Sequence, residues 1–391
     1  MPSAKSSQSA TQRNRTPLYD WHAAHGARMV DFAGWSMPVQ YTSIVAEHQA
    51  TRSAVGLFDI SHMGRLAISG KAATEFLDSV LTRRATDMKP GQIRYSLVCD
   101  EAGGILDDIL VYRLTENQDG SPRYLLVVNA SNREKIVHWL EDKNPTAAQI
   151  EDQTVAKAMV AVQGPRAVEM VDHLFGCELR SLRYYTGTLA KIAGNACYLS
   201  RTGYTGEDGC EIICASHAVV AIWEQLAAAA APLGGLAAGL AARDTLRLEA
   251  GMPLYGHELS ETINPVQAGL GFAMNLDSRT FVGRDAIAHI LVHRKEHEDQ
   301  PVRIGLQLAG RRVARQGCQL FRGEEKIGAV TSGTFSPTLE RPIAMAYVKE
   351  SAAAADTALA VDIRGHQHTV TVVPLPFYHR GQSTSAGVLL T

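Results

Sequence analysis

The 391-residue sequence predicts an α+β body followed by a separate all-β module. Three observations carry this reading. From Thr16 to about Asn275, short β-rich runs alternate with amphipathic helical stretches, and hairpin-type turn signals outnumber long crossovers, so the sheets should be mainly antiparallel. Between Leu291 and Val302 the composition shifts to the charged run His293-Arg294-Lys295-Glu296-His297-Glu298-Asp299-Gln300-Pro301, which reads as a domain boundary. Beyond it, Val302–Leu308, Lys326–Thr331, Ile343–Val348, Thr357–Val361 and Thr369–Val373 read as short strands at turn-punctuated intervals, as in a small barrel or sandwich. The division is therefore a flexible tail over 1–15, a body over 16–292 and a β module over 302–391.

Within the body, Ala46–Val55 and Ala72–Leu81 carry apolar residues at helical spacing. Tyr124–Val128 is a β run leading into Ser131-Asn132-Arg133-Glu134, which has the form of a capping box opening a helix to about Leu140. Ala158–Val162 is an apolar strand, after which Gly164 turns the chain and Pro165 suits the first position of a helix through Val168 and Val171.

Composition excludes several function classes. Thirty-eight Lys plus Arg against forty Asp plus Glu leave a net charge of −2, with no basic excess to hold a nucleic acid. No stretch is long and apolar enough to span a bilayer, so no membrane partner is expected. The six cysteines form no C-x-x-C pair, which fits a reducing compartment: the cytoplasm, or the mitochondrial matrix for a eukaryotic chain. Gly64–Lys71 misses the phosphate-loop spacing, and neither G-x-G-x-x-G nor G-x-S-x-G occurs. His289, His293 and His297 share helical spacing but run into the charged linker, so no metal is assigned to them.

Three segments carry chemistry. In Ile105-Leu106-Asp107-Asp108-Ile109-Leu110 two adjacent carboxylates interrupt an apolar strand; strand alternation sends them to opposite faces, so at most one serves a given pocket. It is either a structural, salt-bridged Asp or a carboxylate aimed at an amine or a developing cation. In Arg201–Ile213, glycines at 203, 206 and 209 suit a hairpin that something approaches closely, and Glu211 lies on the opposite strand face from Cys210 and Ile212. A buried Glu211 would accept from two adjacent N–H donors, such as the edge of a pteridine or of a guanidine-like ring; an exposed rim glutamate is the alternative. Gly239–Met252 reads as a helix stopped by Gly251, with Arg243 and Arg247 on one face, either solvated or directed into a cleft.

These segments, with Thr16-Pro17-Leu18-Tyr19, Ala27–Trp35, Phe58-Asp59-Ile60-Ser61-His62-Met63, Thr331–Leu339 and Pro376-Phe377-Tyr378, resemble in order and spacing the aminomethyltransferase (T-protein) family of the glycine cleavage system. The resemblance implies a three-domain cloverleaf, two α/β subdomains and a C-terminal β-barrel, around a central folate channel. It implies transfer of the one-carbon unit from the aminomethylated lipoyl arm of the H-protein to tetrahydrofolate, releasing ammonia and 5,10-methylenetetrahydrofolate. By position, Asp108 matches the family's catalytic aspartate, Glu211 and Arg243 match folate-binding positions, and Met63, Tyr95, Asn129 and Tyr204 match residues lining the same channel. Two other functions share such a fold. A folate-binding iron-sulfur assembly protein would carry K-G-C-Y-x-G-Q where this chain has Arg201-Thr202-Gly203-Tyr204-Thr205-Gly206-Glu207, without the cysteine. A folate-dependent demethylase of a small methylated compound would share the folate site and differ in what enters opposite it.

Overall fold

The computed structural model describes residues 13–145, 148–293 and 300–381. Two antiparallel sheets face each other across the centre of the body. One has five strands in the order Ile93–Cys99, Ile105–Leu114, Arg123–Val128, Gly64–Ser69 and Gln149–Asp152. The other has six, Gly187–Ile192, Asn195–Ser200, Gly209–Ala215, Lys157–Gln163, Gly56–Asp59 and Leu236–Ala237, of which only the short last strand pairs in parallel. Each sheet buries its outer face under helices. Phe76 and Leu77 of the Ala73–Val80 helix and Ile136 and Leu140 of the Arg133–Asp142 helix cover the first. Val168, Val171, Trp223 and Leu226 of the Ala167–Phe175 and Val219–Ala230 helices cover the second. The inner faces meet through Phe58, Tyr112, Leu125, Val127, Met159 and Ile213. Alternation therefore gives each strand one set of side chains for its helices and one for the space between the sheets.

The strands after residue 300 close into a six-stranded barrel, including Gln319–Arg322, which the strand pattern does not announce because it is only four residues long. The Leu240–Glu249 helix joins barrel to body. Arg247 pairs with Glu258 at 2.9 Å and donates to Ser332 of the barrel at 2.8 Å. Arg303 of the barrel donates to the carbonyls of Gly251 and Ala268, both at 2.9 Å.

Local expectations change in three places. Ser131 does not cap a helix: the Arg133–Asp142 helix begins after Asn132, with no side-chain cap, because the Asn132 amide is taken by the buried carboxylate of Asp107. Pro165 lies outside its helix, which starts at Ala167 after Arg166. Asn14 and Arg15, assigned to the tail, form a short strand beside Trp35 and Ser36, and Arg13 pairs with Asp31 at 3.1 Å. The rest of the tail lies outside the described residues, as does His297; the rings of His289 and His293 lie 4.3 Å apart, tilted by 34°. Among the described residues no helix is long and apolar enough to cross a membrane, and no group of three His, Cys, Asp or Glu side chains is placed to hold a metal.

Candidate active site

A cavity of about 560 Å³ opens between the inner sheet faces, the Leu240–Glu249 helix and the barrel. Asp108, Met63, Tyr95, Asn129, Tyr204, Glu211 and Arg243, drawn from segments up to 180 residues apart, all line it. Asp107 does not. In the Ile105–Leu114 strand, Asp108 shares the inner face with Leu110 and Tyr112, and Asp107 shares the outer face with Ile109 and Val111.

Asp108 is the polar centre of one wall. Tyr95 donates its hydroxyl to Oδ2 at 3.1 Å, and the Asn129 amide donates to Oδ1 at 2.8 Å. Burial raises its pKa against these two hydrogen bonds, which favour the anion. Asn129 is thus a bridge between carboxylates, since it also donates to Asp107 at 2.8 Å.

Glu211 stands on the second sheet, 4% exposed, which settles it as an interior rather than a rim carboxylate. Thr202 donates to its Oε2 at 2.5 Å, and burial raises its pKa. Arg243 points the same way from the helix. Its Nη1 is buried without a hydrogen-bond partner, and its guanidinium lies 4.8 Å from the centre of the Tyr204 ring. Burial lowers its pKa, opposed by Tyr204 and Glu211. A buried guanidinium nitrogen without an acceptor is costly, so this geometry suits a ligand that supplies one. Tyr204 is pinned by its hydroxyl to the Pro253 carbonyl at 2.5 Å.

The glycine-rich loop does approach something closely, but it is the chain itself. A Cβ on Gly203 would fall 2.0 Å from Oε1 of Gln163, whose amide donates to the Thr202 carbonyl at 3.0 Å and whose Oε1 accepts from Thr205 at 3.0 Å. Gly203→Ala should therefore push Thr202 and Tyr204 out of place and destabilise the protein by about 1–3 kcal/mol, the usual cost of overpacking. A urea midpoint equal to that of the parent would show that the loop is not held in this way.

Other lining residues are not singled out as site residues by the sequence. His62 is 2% exposed, with Nδ1 unpartnered, and burial pushes its pKa down to about 3, so the ring is neutral. Phe32 meets it edge-on at 5.4 Å, and Phe272 stacks on Tyr95 at 5.8 Å. Thr202, Tyr185 and Arg303 complete the wall. They come from a hairpin, loops and the barrel, and only tertiary folding puts them together.

The comparisons with known proteins agree with this architecture. Residues 18–278 match the GCVT N-terminal domain and residues 302–379 the glycine cleavage T-protein C-terminal barrel domain. Aminomethyltransferases of Corynebacterium jeikeium (strain K411) and Streptomyces coelicolor (strain ATCC BAA-471 / A3(2) / M145) are each 44% identical to the chain, over 95% of it and 99% of their own length. The crystal structure of glycine cleavage system aminomethyltransferase T from Bartonella henselae superposes with a TM-score of 0.86 at 35% identity, covering 93% of this chain and 98% of that one. The chain belongs to the glycine cleavage T-protein family of aminomethyltransferases.

Proposed function

We propose that the cavity binds tetrahydrofolate and that Asp108 guides onto it the one-carbon unit of an aminomethyl group carried by the lipoyl arm of an H-protein. The carrying observation is that Glu211 and a buried, partnerless Arg243 nitrogen line one cavity walled by Met63, Tyr95 and Tyr204, with Asp108 on the opposite sheet. These residues fit the ligand. Glu211 accepts from adjacent N–H groups of a pteridine edge, Arg243 donates to a carbonyl, and the tyrosine and methionine side chains pack on ring faces. When bound, tetrahydrofolate supplies two nucleophilic nitrogens for the carbon.

Overall, the carbon leaves sulfur and nitrogen and ends between N5 of the pteridine ring and N10 of the linker beside it, and the hydrogens displaced there end on the thiol and on ammonia. Asp108 orients the acceptor and offsets the positive charge that builds as the amine departs. Tyr95 and Asn129 hold its two oxygens in place. The Met63, Leu110, Val127 and Met159 side chains exclude water from the carbon in transit.

Glu211→Ala should weaken tetrahydrofolate binding by roughly 10- to 100-fold, the worth of hydrogen bonds to a charged group, with little change in turnover at saturation. An unaltered dissociation constant would remove Glu211 from the pteridine site. The reading as a whole is tested by supplying tetrahydrofolate and aminomethyl-loaded H-protein and following ammonia and methylenetetrahydrofolate together. Both should form in equal amounts. Folate binding without ammonia release would instead favour a demethylase or a folate-binding assembly protein.

A further inference from the structure

Asp107, next in sequence to the cavity acid, is completely buried behind it. Its Oδ1 accepts from Asn132 at 2.6 Å and from the Asn129 amide at 2.8 Å, and its Oδ2 accepts from the Asn129 backbone N–H at 3.0 Å. The same Asn129 amide nitrogen donates to Asp108 Oδ1 at 2.8 Å. One neutral amide therefore sits between two carboxylates, and among the described residues no lysine or arginine forms an ion pair with either. The other polar groups facing the pair are tyrosines. Tyr95 donates to Asp108, and Tyr204 faces it across the cavity. Tyr255 lies on the Asp107 side, donating to the Ile105 carbonyl at 3.1 Å and accepting from Lys135 at 2.9 Å; Lys135 is itself paired with Glu261 at 2.9 Å.

We propose that Asp107 is a positioning residue for the transfer reaction: it fixes Asn129, and through it Asp108, and the two acids share one negative charge. The proposal rests on the reading of Asp108 given above. Two adjacent carboxylates, one fully buried and the other half-buried in a cavity wall, cannot both ionise cheaply, so the charge of one holds the proton on the other. Burial raises both pKa values, and the charge of Asp108 raises that of Asp107 further. Asp107 takes three of the available donors, the backbone N–H of Asn129, one N–H of its side-chain amide and the Asn132 amide. Its state therefore sets how readily Asp108 becomes the anion that the transfer needs.

The test is carbon-13 NMR of ligand-free protein labelled at the aspartate carboxyls, with Asp108 assigned from the signal lost in Asp108→Asn. Because the pair shares one charge, Asp107→Asn leaves Asp108 as its sole carrier and should lower the Asp108 midpoint by up to about one pH unit, at most a tenfold gain in ionisation constant. Asn132→Ala, which touches Asp107 but neither Asp108 nor the cavity, removes a donor from the Asp107 anion and should move the midpoint the same way by less. It serves alone if Asp107→Asn does not fold. The acid limb of the kcat–pH profile should follow these shifts, with KM for tetrahydrofolate within about twofold of the parent. Unmoved midpoints in the folded variants would overturn the proposal, and so would moved midpoints with an unmoved acid limb. If Asp108→Asn itself keeps full turnover, the reading of Asp108 fails independently of how the carboxyls titrate.

Discussion

Asp108→Asn should lower turnover by roughly 10² to 10³-fold while leaving folding and most tetrahydrofolate affinity intact, the range for losing one preorganised electrostatic group. The substitution keeps shape and volume. With the new amide oxygen turned to Asn129 and its NH2 to Tyr95, Asn129 keeps its acceptor and the Tyr95 hydroxyl accepts instead of donating, and the ligand contacts of Glu211 and Arg243 lie on other elements. What disappears is the negative charge facing the carbon as the amine leaves. The effect belongs in kcat, because that charge acts on the transition state more than on the bound ground state. A tetrahydrofolate KM raised in proportion to any loss of rate would place Asp108 in binding instead, and unchanged turnover would remove it from the mechanism.

Glu249→Ala should destabilise the protein by about 3–5 kcal/mol, the cost of stranding a buried cation. The Glu249 carboxylate is fully buried at the junction of helix and barrel. It accepts from Arg52 at 2.8 and 3.1 Å, from the Thr338 backbone at 3.1 Å and from the Ser336 hydroxyl, and lies 3.3 Å from His48. Without it Arg52 keeps Glu207 at 3.0 Å and the face of Tyr378, but loses its principal counter-ion. Despite burial, the hydrogen bond and charge of His48, the charge of Arg52 and the Ser336 hydroxyl hold the Glu249 carboxyl down to about 2, from an ordinary 4.5. A depressed carboxylate stabilises the fold above its unfolded pKa, so this contribution is complete near pH 6 and disappears as pH falls from about 5 toward 2. Urea unfolding at neutral pH checks the variant: a midpoint matching the parent would contradict the account.

The lesson for reading such a chain lies in which residues find their partners locally. Alternation along one strand was enough to separate Asp107 from Asp108, because period-two geometry holds wherever the pleat is regular. The same rule turned Glu211 away from Cys210 and Ile212. The Leu240–Glu249 helix was visible from its pattern, but the roles of Arg247 and Glu249 were not, since their partners Ser332, Ser336 and Thr338 lie more than eighty residues away on the barrel. The apparent capping box failed for a similar reason. A buried carboxylate on another strand outcompeted the helix terminus for the Asn132 side chain, and Ser131 was left exposed. The glycine spacing announced close approach without saying to what, and the neighbour proved to be Gln163. His62, inside a quoted motif, gained meaning only once the cavity beside it was in view.

The central claim is that a reduced pteridine lies between Glu211 and Arg243 with its reactive nitrogens turned to Asp108. A crystal structure of the protein soaked with tetrahydrofolate tests this most directly. The expected result is the pteridine edge within hydrogen-bond distance of Glu211 and Arg243 and a ring nitrogen beside the Asp108 carboxylate. Ligand bound elsewhere, or in this cavity with its reactive nitrogens turned away from Asp108, would contradict the account.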